Sequence, residues 1–248
     1  MIKRTIFYIT LLSAITLNTA MASVTVEINQ QQYKFDHSPS VAEVLAPVAM
    51  QQNWYWPATA LFEIGKSTQL EETRQLVVDT LTRLIKRHQK SQPETSSPLT
   101  NLRDSIANWR LASRLPTKID YDLARLLPAQ NPQMPAGNYL LTLAPRKNSV
   151  QLFGAVNRTS NVPHLAHTDV SEYVAKQVKS DLANNDYVVI LQADGRIINA
   201  PVAYWNRNHQ EVMPSSQLFV PFKETLFSPE FALLNQQITT LALHRVQS

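Results

Sequence analysis

The mature part of the chain begins with two short stretches in which hydrophobic and polar residues alternate. The alternation covers residues 24–28 and returns over residues 31–35, after a polar turn. A period of two is typical of half-buried β-strands. Ser40 and Glu43 then have the spacing of a helix capping box, and the hydrophobic face behind it consists of Val41, Val44 and Leu45. The pattern therefore predicts strand, strand and short helix, in that order.

Two longer segments between residues 66 and 113 carry hydrophobic residues three and four positions apart, the period of amphipathic helices. The first stripe consists of Leu70, Val77, Leu81, Leu84 and His88, and the second of Leu99, Leu102, Ile106 and Trp109. We expect the second helix to begin with Ser97 as N-cap and Pro98 as first residue, where a missing N–H is harmless. The breaker-rich residues 91–98 between the stripes complete a predicted helical hairpin.

The second half of the chain repeats part of the first. Residues 134–143 resemble residues 213–222 at an offset of 79 (213 − 134), and the same gapless offset aligns Ile119 with Ile198. Asp194-Gly195 lies between two apolar runs and predicts a hairpin turn, because glycine tolerates positive φ. We interpret the repeat as one strand–strand–helix–strand–strand unit used twice, with the helical hairpin inserted in the first copy. Chance similarity of two strand ends is the alternative.

The chain closes with a segment, residues 228–248, that reads as an amphipathic helix. Its apolar stripe consists of Phe231, Leu234, Ile238 and Leu241, and the residues placed outside the stripe are Asn235, Gln236 and Thr239. The polar face carries glutamine and threonine rather than lysine, which argues against an anionic membrane surface. We expect the stripe to contact a partner groove or to pack on the second repeat.

The first 22 residues have the pattern of a secretory signal peptide. Lys3 and Arg4 precede a short apolar run, and Ala20-Met-Ala22 has the small-x-small form of a cleavage site, so we expect cleavage after Ala22 and a periplasmic protein. A short membrane anchor is the alternative, but the run is shorter than the ~20 residues of a spanning helix. Without those two charges the net charge falls from +4 to +2 (4 − 2), and the basic residues are scattered. This balance gives no reason to expect nucleic acid.

Few residues suggest catalysis, a metal or a cofactor. The chain has no cysteine and only 4 glycines, which excludes disulfides and glycine-built phosphate loops. Asp120 and Asp122 would share one face of a strand, where paired carboxylates could cleave glycosidic bonds, although such pairs are also ordinary surface residues. His164 and His167 lack enough neighbouring ligands for zinc. We therefore predict no catalytic residue, no metal and no cofactor.

Ligand or partner contacts are easier to motivate. Trp54 and Trp56 flank a tyrosine just before a proline, and Tyr204 and Trp205 form a second aromatic pair. Aromatic faces serve as binding platforms, but large aromatic residues are also common in cores, and for both clusters we favour the core. Arg114 follows the helical insertion and could hold a carboxylate with its bidentate guanidinium; a structural contact to loop carbonyls is at least as well supported.

A succession of short motifs resembles the GfcC/YjbG-type capsule-biosynthesis proteins. The motifs occur in order along the mature chain: Trp54-Tyr-Trp-Pro-Ala58, Arg114-Leu-Pro116, Leu152-Phe-Gly-Ala-Val156, Pro201-Val-Ala-Tyr-Trp-Asn206 with His209, and Asn235-Gln-Gln-Ile238. The resemblance implies an α+β fold of two tandem β-grasp domains, akin to the SLBB domains of Wza-type polysaccharide exporters. One departure is Ser215-Ser216, where related repeats favour Pro-Gly.

The resemblance and the repeat together imply a domain organisation and a function. We expect a signal peptide (1–22), a first β-grasp domain (23–146) with the helical insertion (about 66–113), a second domain (147–227) and the terminal helix (228–248). The implied function is that of a periplasmic, non-enzymatic accessory protein of capsule or exopolysaccharide export, which binds the exporter or the polymer. The alternatives are a polysaccharide-modifying enzyme with a cleft near Arg114, Asp120 and Asp122, and a structural adaptor that binds only protein.

Overall fold

A computed structural model describes residues 23–89, 93–225 and 229–247, so the predicted signal peptide lies outside the described residues. The first half contains β1 (Val24–Ile28), β2 (Gln31–Phe35), α1 (Val41–Leu45), β3 (Ala60–Glu63), α2 (Thr68–His88), α3 (Pro93–Ala107), β4 (Ser113–Arg114), α4 (Tyr121–Leu126) and β5 (Gly137–Thr142). The second half contains β6 (Ser149–Gly154), β7 (Ser160–Pro163), α5 (Val170–Ala175), β8 (Tyr187–Leu191), β9 (Ile197–Pro201), β10 (Gln217–Val220) and α6 (Glu230–Leu243). No helix within the described ranges combines the length and the apolar character needed to cross a membrane.

The strands form two five-stranded mixed sheets with the same topology. The first has the order β2-β1-β5-β3-β4 and the second the order β7-β6-β10-β8-β9. In each sheet the central pair, β1 with β5 and β6 with β10, is parallel, and the other pairs are antiparallel. The predicted α+β class is therefore confirmed, and the arrangement is consistent with two tandem units; the assignment to the β-grasp superfamily stays a prediction.

The strand register corrects the gapless form of the repeat. On equivalent rungs, Phe62 of β3 lies opposite Arg114, and Val189 of β8 lies opposite Asn199. The structural counterpart of Arg114 is thus 85 residues away (199 − 114), and the alignment of Ile119 with Ile198 is wrong. The offset of 79 holds for β5 and β10, whereas β4 is short and leaves the sheet sooner than β9 does.

The helical hairpin is present, but its second helix begins earlier than predicted. α3 starts at Pro93, and Pro98 lies inside the helix rather than at its first position. A proline near the start removes only one intrahelical hydrogen bond, and burial of the following residues Leu99 and Leu102 favours the helix. Ser97 is consequently not the N-cap.

The hairpin packs on the second sheet although it is inserted in the first. The apolar stripes of α2 and α3 share one hydrophobic core with β6, β8, β10 and α6. A separate core lies between α1 and the first sheet. The two units are therefore interlocked, because a segment inserted between β3 and β4 supplies much of the core of the other unit.

The stripe of α6 is part of that core. All four residues of the stripe are buried, namely Phe231, Leu234, Ile238 and Leu241. The prediction that they form a partner-binding face is therefore wrong. The alternative is correct, because the stripe packs on the second repeat. Asn235 was expected outside the stripe, yet it is buried as well. It faces inward because its amide bonds to the backbone that follows β10.

The residues after α6 return to the first unit. The Ala112 N–H donates to the His244 carbonyl at 3.0 Å, and the Val246 N–H donates to the Arg110 carbonyl at 2.9 Å. The Arg114 N–H donates to His244 Nδ1 at 2.8 Å. The carboxyl-terminal tail thus pairs with the segment that re-enters the first sheet, and it closes one side of the space between the two sheets.

Candidate functional site

A cavity of the described part lies between the two units, against the outer face of the first sheet. One cross-strand row places Glu27, Leu140, Phe62 and Arg114 side by side on that face. The opposite wall comes from the end of β8, the residues around Ser215 and the carboxyl-terminal tail. The volume of this cavity is about 280 Å³. We call this space the inter-unit cleft.

The charge of the inter-unit cleft is strongly positive for a protein with so small a net charge. Four basic side chains line it, and among the described residues Glu27 is the only acidic one that does so. The basic residues are Arg110, Arg114, Lys147 and Arg245. Charges of one sign gathered in a cleft between low-dielectric walls focus the electrostatic field. The arrangement suits an anionic ligand.

Arg114 lies at the junction of the two units. Its Nη2 donates to the Ala193 carbonyl at 3.1 Å, just before the hairpin turn between β8 and β9. Gly195 in that turn has φ +89°, and a Cβ there would lie 3.0–3.2 Å from the guanidinium. Burial lowers the pKa of Arg114 and the charge of Asp194 opposes that shift; an arginine stays protonated regardless. The structural contact to a loop carbonyl is thus present, while the side chain also borders the cleft.

Arg245 is held rigidly by two neighbours. Its guanidinium stands 4.9 Å from the centre of the Trp109 ring, and its Nη1 donates to Gln151 Oε1 at 2.7 Å. Burial lowers the pKa of Arg245 below its usual value. A cation fixed by a ring and an amide is preorganised for a ligand and loses little side-chain entropy on binding.

Two buried oxygen atoms at the cleft have no hydrogen-bond partner within the described residues. They are Gln217 Oε1 and the Ser215 hydroxyl. Gln217 is 4 % exposed, and its Nε2 already donates to the Ala242 carbonyl. A second hollow of about 160 Å³ adjoins the cleft and shares Lys147, Ser215 and Arg245 with it. Both atoms are almost inaccessible to solvent, so they lie behind the surface of the cleft rather than on it.

The turn before β10, where the sequence departs from the Pro-Gly of related repeats, is well formed. Ser215 adopts φ +68°, a value that favours glycine. The Ser216 hydroxyl accepts the Ala193 N–H at 3.0 Å and donates to Gln192 Oε1 at 2.9 Å. These buried bonds hold the turn in the absence of glycine.

The first aromatic cluster is structural and lies outside the cleft. Trp54 is 6 % exposed, and its Nε1 donates to the Val48 carbonyl at 2.8 Å, so the favoured interpretation as a core residue holds and Trp54 is not accessible to a ligand. Trp56 is half-buried beside Tyr121, and its Nε1 donates to Asp122 Oδ2 at 3.2 Å. Both rings tie α1 and α4 to the first sheet.

The second aromatic pair contradicts the favoured interpretation as core. Tyr204 is fully exposed and Trp205 is 76 % exposed. The motif that contains them begins in β9, whose far end carries the turn next to Arg114. The pair therefore does not line the inter-unit cleft.

The acidic and histidine candidates have structural roles. Asp120 is the N-cap of α4 and accepts the Leu123 N–H at 3.0 Å, so the expected strand with paired carboxylates is absent there. His164 bonds to the Val212 carbonyl, whereas His167 lies near Glu211. Within the described ranges no group of three or more histidine and acidic side chains is placed to hold a metal ion. None of these four candidates lines the inter-unit cleft.

Of the cleft residues, only Arg114 was a candidate from the sequence. Arg110, Lys147, Arg245 and Gln217 come from four separate segments, and none belongs to a motif with a recognisable spacing. The one usable signal is the position of Arg110 and Arg114 shortly after α3, at the point where the two units meet.

Comparison with known proteins gives consistent matches over both halves. The family model described as capsule biosynthesis GfcC, N-terminal, matches residues 18–146, and the model described as capsule biosynthesis GfcC C-terminal matches residues 158–247. The chain is also similar to the uncharacterized protein YjbG of Escherichia coli (strain K12). The two are 29 % identical over 250 residues, covering 99 % of each chain.

Proposed function

This chain belongs to the GfcC family of capsule-biosynthesis proteins, and from that premise we propose that it is a periplasmic, non-enzymatic accessory protein that binds an acidic polysaccharide. Export is supported by the signal-peptide pattern of residues 1–22. A binding role, rather than a catalytic one, is supported by the structural roles of the two candidate acids. Asp120 caps a helix, and Asp122 accepts the indole N–H of Trp56.

The observation that carries the proposal is the basic inter-unit cleft. Arg110 and Lys147 are exposed at its border, while Arg245 is fixed deeper inside. An acidic sugar carries a carboxylate or phosphate that these cations can bind through charge-assisted hydrogen bonds. A neutral polymer lacks this anionic group.

The test is calorimetric titration of the mature protein with capsular polysaccharide purified from the source strain. Polygalacturonate and dextran of similar length serve as acidic and neutral reference polymers. The variant Arg110→Ala/Lys147→Ala removes two cleft charges without touching the core. Lys86→Ala/Arg158→Ala removes two exposed charges elsewhere and is the matched control.

We expect the acidic polymers to bind, and their binding to weaken as salt rises from 0.05 to 0.5 M (chosen conditions). The cleft variant should lose about tenfold or more in affinity, because each exposed charge contact contributes up to about 1 kcal/mol. The control variant should bind like the parent. Equal affinity for dextran and polygalacturonate, or equal losses in the two variants, would refute the proposal.

A further inference from the structure

The turn that follows β9 presents two aromatic side chains to solvent. Tyr204 is fully exposed and Trp205 is 76 % exposed. Neither side chain has a hydrogen bond or ring contact with the rest of the described chain. Each such ring could bury on the order of 150–250 Å². Two adjacent large aromatic residues left in water indicate a surface that is covered by something else.

The backbone that carries these rings is rigid. Asn206 Oδ1 accepts the Ala203 N–H at 3.0 Å, and the Asn206 N–H donates to the Ala203 carbonyl at 3.1 Å. Asn206 Nδ2 donates to the Asp186 carbonyl at 3.1 Å, and that carbonyl also accepts the Val202 N–H. The turn is thereby anchored to the residue before β8. A ligand that binds the rings has little backbone entropy to remove.

The size and chemistry of the pair favour a sugar over a protein. Two rings offer at most about 300–500 Å², whereas a stable protein interface uses about 800 Å² on each partner. A pyranose ring has an apolar face of slightly positive C–H groups, which complements the negative face of an aromatic ring. On these grounds, and resting on the proposed function, we propose that Tyr204 and Trp205 form a second polysaccharide-binding platform, separate from the inter-unit cleft.

The two sites are separated along one strand pair. Arg114 contacts the turn at one end of β8 and β9, and the aromatic pair follows the other end. Five residues of strand at about 3.3 Å each give a separation of roughly 17 Å. A polymer can reach both places where a single sugar cannot, and linking two weak contacts raises the overall affinity.

The indole N–H signals of ¹⁵N-labelled protein allow each site to be followed separately. The chain has 4 tryptophans. Trp109 lies under Arg245 and reports occupancy of the cleft, whereas Trp205 reports the platform. We would titrate the mature protein with fragments of the capsular polysaccharide purified from the source strain, at low and high salt. The expected result is a salt-sensitive shift of the Trp109 signal and a shift of the Trp205 signal that persists at high salt, because stacking does not depend on charge.

A variant pair completes the test. Tyr204→Ala/Trp205→Ala should bind the intact polymer about thirtyfold more weakly, since two stacking contacts of about 1 kcal/mol each are lost. Short fragments should still shift Trp109. Leu126→Ala, at a residue that is 75 % exposed, is the control and should bind normally. Both variants should keep the parent's thermal stability, because neither position is packed.

The outcomes separate this proposal from the proposed function. A Trp205 signal unmoved by polysaccharide, while Trp109 shifts, overturns the platform and leaves the cleft. A Trp205 signal that moves only with protein concentration, or only with phospholipid vesicles, assigns the pair to self-association or to a membrane and also overturns it. If neither indole responds, the proposed function fails together with the platform.

Discussion

Asn235 is a buried polar residue whose substitution should cost considerable stability. Its Oδ1 accepts the Phe222 N–H at 2.8 Å, and its Nδ2 donates to the Phe222 carbonyl at 2.9 Å and to Glu224 Oε1 at 3.2 Å. Glu224 Oε1 also accepts the Tyr187 hydroxyl. One buried amide therefore joins α6 to the segment after β10 and, through Glu224, to β8.

The substitution Asn235→Ala removes these bonds and leaves the Phe222 N–H and carbonyl buried without partners. Each unsatisfied group costs about 1–3 kcal/mol, so we expect a loss of about 2–5 kcal/mol in the free energy of unfolding. The higher helix propensity of alanine returns only a few tenths of a kcal/mol. Gln236→Ala changes an exposed amide on the same helix and should alter stability by less than about 0.5 kcal/mol.

Urea unfolding followed by circular dichroism measures both variants, and an unchanged slope with denaturant confirms that the same structure unfolds. Asn235→Asp adds a test of mechanism. The aspartate can still accept the Phe222 N–H, but its charge faces the Phe222 carbonyl and Glu224, so its folded pKa should rise above the unfolded value of about 3.9. The stability of this variant should therefore be highest below that unfolded value and fall as pH rises through the folded pKa.

The reasoning is refuted by two results. One is a loss for Asn235→Ala no larger than that for Gln236→Ala, which would mean that water or a neighbour replaces the amide. The other is an Asn235→Asp variant whose stability relative to the parent does not change between pH 3 and pH 7 (chosen conditions).

Two further predictions concern backbone contact and charge. Gly154→Ala should lower the melting temperature far more than Gly65→Ala. Both glycines have positive φ, but an added Cβ at Gly154 would clash with the Val220 carbonyl, whereas the space at Gly65 is open. Similar decreases in melting temperature for the two variants would contradict this. Burial raises the pKa of Asp169. The hydrogen bonds from Ser171 and the Gln210 N–H, together with the charge of Arg207, lower this pKa by more than burial raises it, so the net shift is downward. A carboxylate with a lowered folded pKa adds stability above its unfolded pKa of about 3.9 and loses it as pH falls through the folded value. The parent should therefore be more stable than Asp169→Asn in urea at pH 7, and the gap should shrink at pH 3; a constant gap would show that the charge is not responsible.

Local patterns along the chain were enough to predict most elements. The alternation over residues 24–28 and 31–35 became β1 and β2, and the capping box became the start of α1, where the Glu43 N–H donates to the Ser40 hydroxyl. The stripe of α6 was also predicted, apart from Asn235. Period and capping are local properties that the backbone expresses wherever the segment packs.

The start of α3 and the register of β4 could not be obtained in this way. Pro98 is a favourable first residue in an isolated helix, and only burial of the following turn against other helices makes an earlier start at Pro93 favourable. The pairing of Phe62 with Arg114 depends on where the chain returns after the hairpin. Both outcomes follow from contacts between residues distant in sequence.

The sequence by itself determined the α+β class, the repeated unit and the family, whereas the signal peptide of residues 1–22 stays a prediction. The tertiary structure alone decided that the hairpin and α6 complete one core, that Trp54 is enclosed while Trp205 is exposed, and that four scattered cations meet in one cleft. The physical reason is that hydrophobic burial is non-directional, so an apolar stripe or an aromatic pair states only that a surface can be covered. Which surface covers it, and which charges are thereby brought together, depends on the path by which the two interlocked units close on each other.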